Sequence, residues 1–221
     1  MGLHQMRKGK TSETMKKIMF NDRYGLTQAV IDGRKTMTRR VVSDNLQDEW
    51  DDYDDFCTSV NAGNFPTTRE YRNEKEFFLA NARYKLGDVV AVAQSYQDAG
   101  FACDRFMFVY VTQRRARVWR CDEFAGWNNK MFVCADRMPH QIRITDVRCE
   151  RLQDISDSEC LREGVQYIEE LGVYYFERPD REGFYFDTPR AAFASLIDKV
   201  SGKGTWKSNP WVIVYEFELV K

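Results

Sequence analysis

Apolar and polar positions along the chain follow two rhythms. Alternating or wholly apolar runs predict strands over Lys17-Ile18-Met19-Phe20, Val89 to Ala93, a stretch near Phe106–Thr112, and Ile142 to Leu152. A last strand is predicted from Trp211 to Leu219, where Trp211, Ile213, Tyr215, Phe217 and Leu219 alternate with Val212, Val214, Glu216 and Glu218. Helical spacing appears over 24–31, with Leu26, Ala29 and Val30 on one face and Gly33 suited to a left-handed helix end. Ser156-Asp157-Ser158-Glu159 reads as a capping box opening a short helix that ends near Gly164. Thr188 and Pro189 open a final helix whose stripe is Ala192, Phe193, Leu196, Ile197 and Val200, ending at Gly202.

Between these elements the pattern is weaker. Residues 44–83 read as an insertion: an exposed loop carrying six acids between Asp48 and Asp55, then a short helix near Glu74–Ala82. Residues 166–187 hold seven aromatic side chains broken by Pro179 and Gly183, which predicts a hairpin or lobe whose rings pack on the core. Residues 1–15 show no periodicity and read as a loose arm ahead of one domain spanning 16–221. Strands outnumber helices and interleave with them. The expected class is α+β, a compact mixed sheet or small barrel with flanking helices.

Composition narrows the function. Of 221 residues, 43% are hydrophobic and 14% aromatic, which excludes a disordered chain. The formal net charge is only -1, so any site for a polyanion has to be a local patch. Six scattered cysteines without a CxxC pair, and two histidines, give no zinc pattern, and neither metal nor cofactor is implied. Residues 1–17 lack an apolar signal core and no run has the length of a membrane span, so a cytoplasmic protein without membrane partners is expected.

The densest chemistry lies in Gly33-Arg34-Lys35-Thr36-Met37-Thr38-Arg39-Arg40: four cations, two hydroxyls and no acid within eight residues. Mutual repulsion predicts an anion beside them. In a regular strand Lys35 and Thr38 would face opposite sides, whereas a turn just past the helix brings them together. A second basic run, Arg114 to Arg120, sets four arginines beside Trp119. Such groups grip phosphates and stack on bases, and a solvated hairpin is the alternative.

Four fragments together resemble the ASCH domain of the PUA-like superfamily, in its phage and mobile-element form. They are GRKTMTRR at 33–40, YKLGDVVAVAQ at 84–94, MPHQIRITDVRCERLQDIS at 138–156 with EGV at 163–165, and NPWVIVYEFE at 209–218. The resemblance implies a PUA-like small mixed β-barrel with flanking helices and a cleft lined by the basic stretch. It also implies RNA binding, or, as in acetylcytidine amidohydrolase relatives, a lysine, a threonine three positions on and a glutamate. The first two fall on Lys35 and Thr38. The glutamate is expected after the strand that ends at Ala93, where this chain has Gln94, with Asp88 and Asp98 nearby.

Two functions follow as expectations. The first is binding of RNA or single-stranded nucleic acid: Arg34, Lys35, Thr36, Arg39 and Arg40 meet phosphates, Arg137 and Arg143 extend the patch, and Tyr96 or Trp127 stacks on a base. The second is a small amidohydrolase acting on an acylated nucleobase or nucleoside. Thr38 is then the nucleophile, Lys35 the base, and Arg39 or Arg40 an anion stabiliser.

Overall fold

A computed structural model of the chain describes residues 15–62, 69–101, 108–112, 115–119, 125–177 and 185–220. Residues 1–14 of the arm predicted at 1–15, together with Arg114 and Arg120, lie outside the described residues. In chain order the principal elements are β1 (Lys17–Ile18), α1 (Leu26–Ile31), β2 (Met37–Val41), α2 (Asp44–Ala62), α3 (Glu74–Ala80), β3 (Val89–Val92), β4 (Phe108–Thr112) and β5 (Arg115–Trp119). There follow β6 (Gln141–Arg151), α4 (Asp157–Arg162), β7 (Gln166–Ile168), β8 (Val173–Tyr175), α5 (Pro189–Val200), α6 (Thr205–Ser208) and β9 (Trp211–Leu219). The class is mixed α+β.

The chain divides into two compact units. The larger comprises Met19–Val89 and His140–Lys221, the smaller the segment up to Ile18 and Val90–Pro139. In the larger unit β9 is the central strand, antiparallel to β2 on one side and β6 on the other. Its buried residues Val212 and Val214 join Met37, Leu152, Ile155, Cys160 and the α5 residues Ala192, Phe193 and Ile197 in one core. Of the stripe predicted for α5, Ala192, Phe193, Leu196 and Ile197 are buried and Val200 is exposed, and Thr188 Oγ1 accepts from Ala191 N at 3.1 Å as the cap. The register of β6 against β9 shifts between Ile144 and Asp146, which leaves Thr145 as a bulge.

In the smaller unit β1 and β3 pair in parallel, and β4 and β5 form an antiparallel hairpin. Ala91, Ala93, Val133 and Met138 form its small buried cluster.

Two expectations are corrected. The expected barrel does not close: β6, β9 and β2 form an open sheet, because among the described residues β2 pairs with β9 alone. The exposed loop expected to open the 44–83 insertion, with its acids between Asp48 and Asp55, is instead the 19-residue helix α2. Ser43 Oγ accepts from Leu46 N at 3.3 Å, and Asp44 in the first turn suits the positive end of the helix dipole. Trp50 and Cys57 are buried on its inner face, and Trp50 and Tyr53 meet Phe77 of α3 at ring separations of 5.6 and 6.0 Å. The aromatic segment begins as a hairpin of β7 and β8, with Tyr174 also bridged to Phe186.

Candidate active site

Lys35 and Thr38 come together because the chain does not enter β2 as a strand until Met37. After α1, Gly33 adopts φ 74°, a left-handed conformation in which a side chain is disfavoured. Lys35 N then donates back to Ala29 O at 2.8 Å, and Thr36 N crosses to Arg162 O at 3.0 Å. Lys35 therefore escapes strand alternation. Lys35 and Thr38 line the same half-open hollow of about 80 Å³, together with Arg39, Arg40 and Glu163. Its remaining wall includes Leu26 of α1 and Phe193, Leu196 and Ile197 of α5. The space suits part of a small ligand, since one water needs about 10–15 Å³.

The carboxylate that meets the lysine is Glu163. Lys35 Nζ donates to Glu163 Oε2 at 2.6 Å and to Glu163 O at 2.7 Å, and the two residues are 2% and 4% exposed. Burial holds the Lys35 ammonium below its ordinary pKa, with Arg40 and Arg39 acting in the same direction and Glu163 opposing them. Thr38 is 5% exposed, and among the described residues its hydroxyl takes no hydrogen-bond partner. A shielded amine, an oriented carboxylate and an uncommitted hydroxyl thus line one hollow.

Glu163 closes α4, where its backbone N donates to Glu159 O at 2.9 Å. The capping box at the other end of that helix forms as predicted, with Ser156 Oγ accepting from Glu159 N at 3.3 Å and Glu159 Oε2 accepting from Ser156 N at 2.9 Å. The carboxylate expected after Ala93 is found instead at Glu163, a residue that no expectation from the sequence named for this site. Glu163-Gly164-Val165 marks the predicted end of a helix, but nothing local shows what Glu163 meets. Gln94, Asp88 and Asp98 are otherwise placed. Gln94 belongs to the smaller unit, Asp88 Oδ2 accepts from Lys85 N at 3.0 Å, and Asp98 Oδ2 accepts from Ser95 Oγ at 2.6 Å.

The anion predicted beside the basic stretch is supplied by the protein itself. Arg39 reaches Glu150 at 2.6 Å, Glu159 at 3.1 Å and Glu163 at 3.2 Å, with its side chain fully buried. Arg148 continues this network to Glu159, Glu150, Asp146 and Glu216, and Arg162 reaches Glu216 at 2.7 Å. The Arg162 hydrogen bond, assisted by Arg148, holds Glu216 below the usual carboxylate range. Burial raises the Glu159 pKa, but the Ser156 amide and the Arg39 charge outweigh it and the net direction is down.

The other predicted residues are dispersed. Arg34 is exposed and pairs with Asp32 at 3.0 Å and Glu177 at 3.6 Å. Thr36 Oγ1 accepts from Arg162 Nε at 3.1 Å, and Arg143 pairs with Glu218 at 3.3 Å. Tyr96, Trp127 and Arg137 belong to the smaller unit, where the Tyr96 hydroxyl accepts from Cys134 N at 3.0 Å and Arg137 is exposed. Cys160 is buried beside the core, and desolvation pushes its thiol up to about 12, away from nucleophile chemistry. Among the described residues no cluster of three His, Cys, Asp or Glu side chains could hold a metal ion, and no helix is long and apolar enough to cross a membrane.

Comparison with protein-family models, with curated proteins and with solved structures found no match to this chain.

Proposed function

We propose that this chain is a small amidohydrolase that removes an acyl group from the exocyclic amine of a nucleobase or nucleoside. The observation that carries the reading is the Lys35 amine, buried against Glu163 in the hollow that Thr38 lines. Kinship with ASCH domains, and a PUA-like origin for the open sheet, belong to the same proposal.

In this mechanism neutral Lys35 Nζ takes the proton of Thr38 Oγ1 as that oxygen attacks the acyl carbonyl. Glu163 balances the resulting ammonium. Lys35 returns the proton to the departing amine as its C–N bond breaks, leaving the acyl group esterified to Thr38. Water, deprotonated by Lys35, then attacks the ester and restores the threonine while the acyl group leaves as a carboxylic acid. Binding of RNA through the same stretch is the less favoured reading. It needs cations turned toward a ligand, and Arg34, Arg39 and Arg143 are engaged by carboxylates of the chain itself.

Incubation with N4-acetylcytidine tests the proposal. The wild type is expected to release cytidine, and Thr38→Ala and Lys35→Ala to lose turnover by at least about 10²-fold, the scale of a positioned general base. Turnover that survives both substitutions overturns it.

A further inference from the structure

Among the cations that line the hollow, Arg40 lacks a carboxylate. Lys35 is matched by Glu163, and Arg39 by Glu150, Glu159 and Glu163. Among the described residues no acid lies within ion-pair distance of Arg40. Its Nη2 donates to Met19 O at 2.5 Å, and its Cζ lies 5.6 Å from the centroid of the Phe20 ring. A guanidinium carries five N–H donors in one plane, and among the described residues a single one has a protein acceptor. Burial lowers the Arg40 pKa without discharging it. Its remaining donors are not sealed off, since among the described residues the buried side-chain polar atom without a partner is Gln94 Oε1, so they stand open to an incoming anion on the wall of the hollow.

We infer that Arg40 anchors an anionic group of the substrate, so that the preferred ligand is an acylated nucleoside bearing a phosphomonoester or a carboxylate rather than the neutral nucleoside. The acylated base in this statement rests on the hydrolase reading; the anion anchor rests on the surroundings of Arg40. Arg40 and Thr38 both lie on β2, two residues apart and so on one side of the strand. An anion held by the first therefore sits beside the hydroxyl of the second. Planar, bidentate recognition of phosphate or carboxylate is the task for which arginine geometry is suited.

The test uses full-length Thr38→Ala protein, in which the proposed covalent step cannot occur, and measures dissociation constants by calorimetry. The ligands are N4-acetylcytidine, its 5′-monophosphate, and N4-succinylcytidine, whose acyl chain ends in a carboxylate. At least one anionic ligand is expected to bind about tenfold or more tightly than the neutral parent, as a charge-assisted hydrogen bond provides. The monophosphate and succinyl arms show which end of the substrate carries the charge. Adding Arg40→Gln is expected to abolish the preference, and Arg40→Lys to retain part of it. Equal affinity for all three ligands, or a preference that persists in Arg40→Gln, overturns the inference. So does an Arg40→Gln enzyme that loses kcat equally on neutral and anionic substrates at unchanged affinity, because that marks transition-state charge alone. Anion-selective binding without any hydrolysis sinks the hydrolase reading and leaves the anchor intact; hydrolysis without anion preference does the reverse.

Discussion

An ammonium buried as deeply as that of Lys35 is held in place by its counter-charge, and this makes the two ends of the Lys35–Glu163 pair unequal. Without Lys35, Glu163 still accepts from Arg39 at 3.2 Å, whereas without Glu163 the amine keeps only a backbone carbonyl. Glu163→Leu is therefore expected to destabilise by about 3–5 kcal/mol, the cost of an orphaned buried charge, and Lys35→Met by clearly less. Urea unfolding of the two variants measures the difference, and equal losses would show that the pair is not organised this way. The same geometry sets a pH dependence. Burial lowers the Lys35 pKa and Glu163 opposes that shift, so activity is expected to rise with pH at a midpoint below 10.5. Glu163→Gln should move the midpoint lower still, because it removes the charge that favours the proton; a midpoint that moves up contradicts the assignment of Lys35 as base. Lys35 and Thr38 were legible in the sequence because Gly33 breaks the helix just before them. Glu163 was not, since its contact with Lys35 spans 128 positions and no local pattern encodes such a meeting.

At the scale of elements, α4 is a six-residue helix that would be marginal alone and is fixed by its ends. Its start is the Ser156–Glu159 box, and Glu159 is also bound by Arg39 and Arg148. Its exit is Gly164 at φ 111°, where an added Cβ would stand 3.0 Å from Leu26 Cδ2 and 3.8 Å from Lys35 Cδ. Gly164→Ala is thus expected to cost about 1–3 kcal/mol in backbone strain and to displace Glu163 from Lys35. A thermal melt paired with the acetylcytidine assay checks this, and a variant with wild-type stability and turnover would refute it. The capping box, most of the α5 stripe and strands β6 and β9 were readable because each rests on contacts within a few residues or on a strict period. Helix α2 was misread for the opposite reason. Its inner face is a thin line of Trp50, Tyr53 and Cys57 set among acids, and the partner that makes this line a buried seam, Phe77, arrives from another element.

For the molecule as a whole, charge is nearly balanced, with 33 Lys and Arg against 34 Asp and Glu, and the balance is local as well as global. In the larger unit Arg34, Lys35, Arg39, Arg143, Arg148 and Arg162 each face one or more carboxylates of the chain. For Lys35 and Arg39 that pairing was invisible in the sequence, because the basic stretch contains no acid and their partners are Glu150 on β6, Glu159 on α4 and Glu163 at the end of α4. That the sheet stays open was equally hidden, because alternation identifies strands but not which strands pair. The pairing also bears on partners. A protein that grips a nucleic-acid backbone frees several counterions, and its affinity falls with log salt at a slope of about 0.7 per phosphate contacted on a single strand. With the basic stretch reduced, among the described residues, to one guanidinium without an ion pair, Arg40, single-stranded RNA is expected to bind weakly, with a slope corresponding to about one or two contacts. Fluorescence anisotropy of a labelled oligonucleotide between low and moderate salt gives that slope directly. A value corresponding to about four or more contacts would mean that the ion pairs open to admit a backbone, and would return RNA to first place as the ligand.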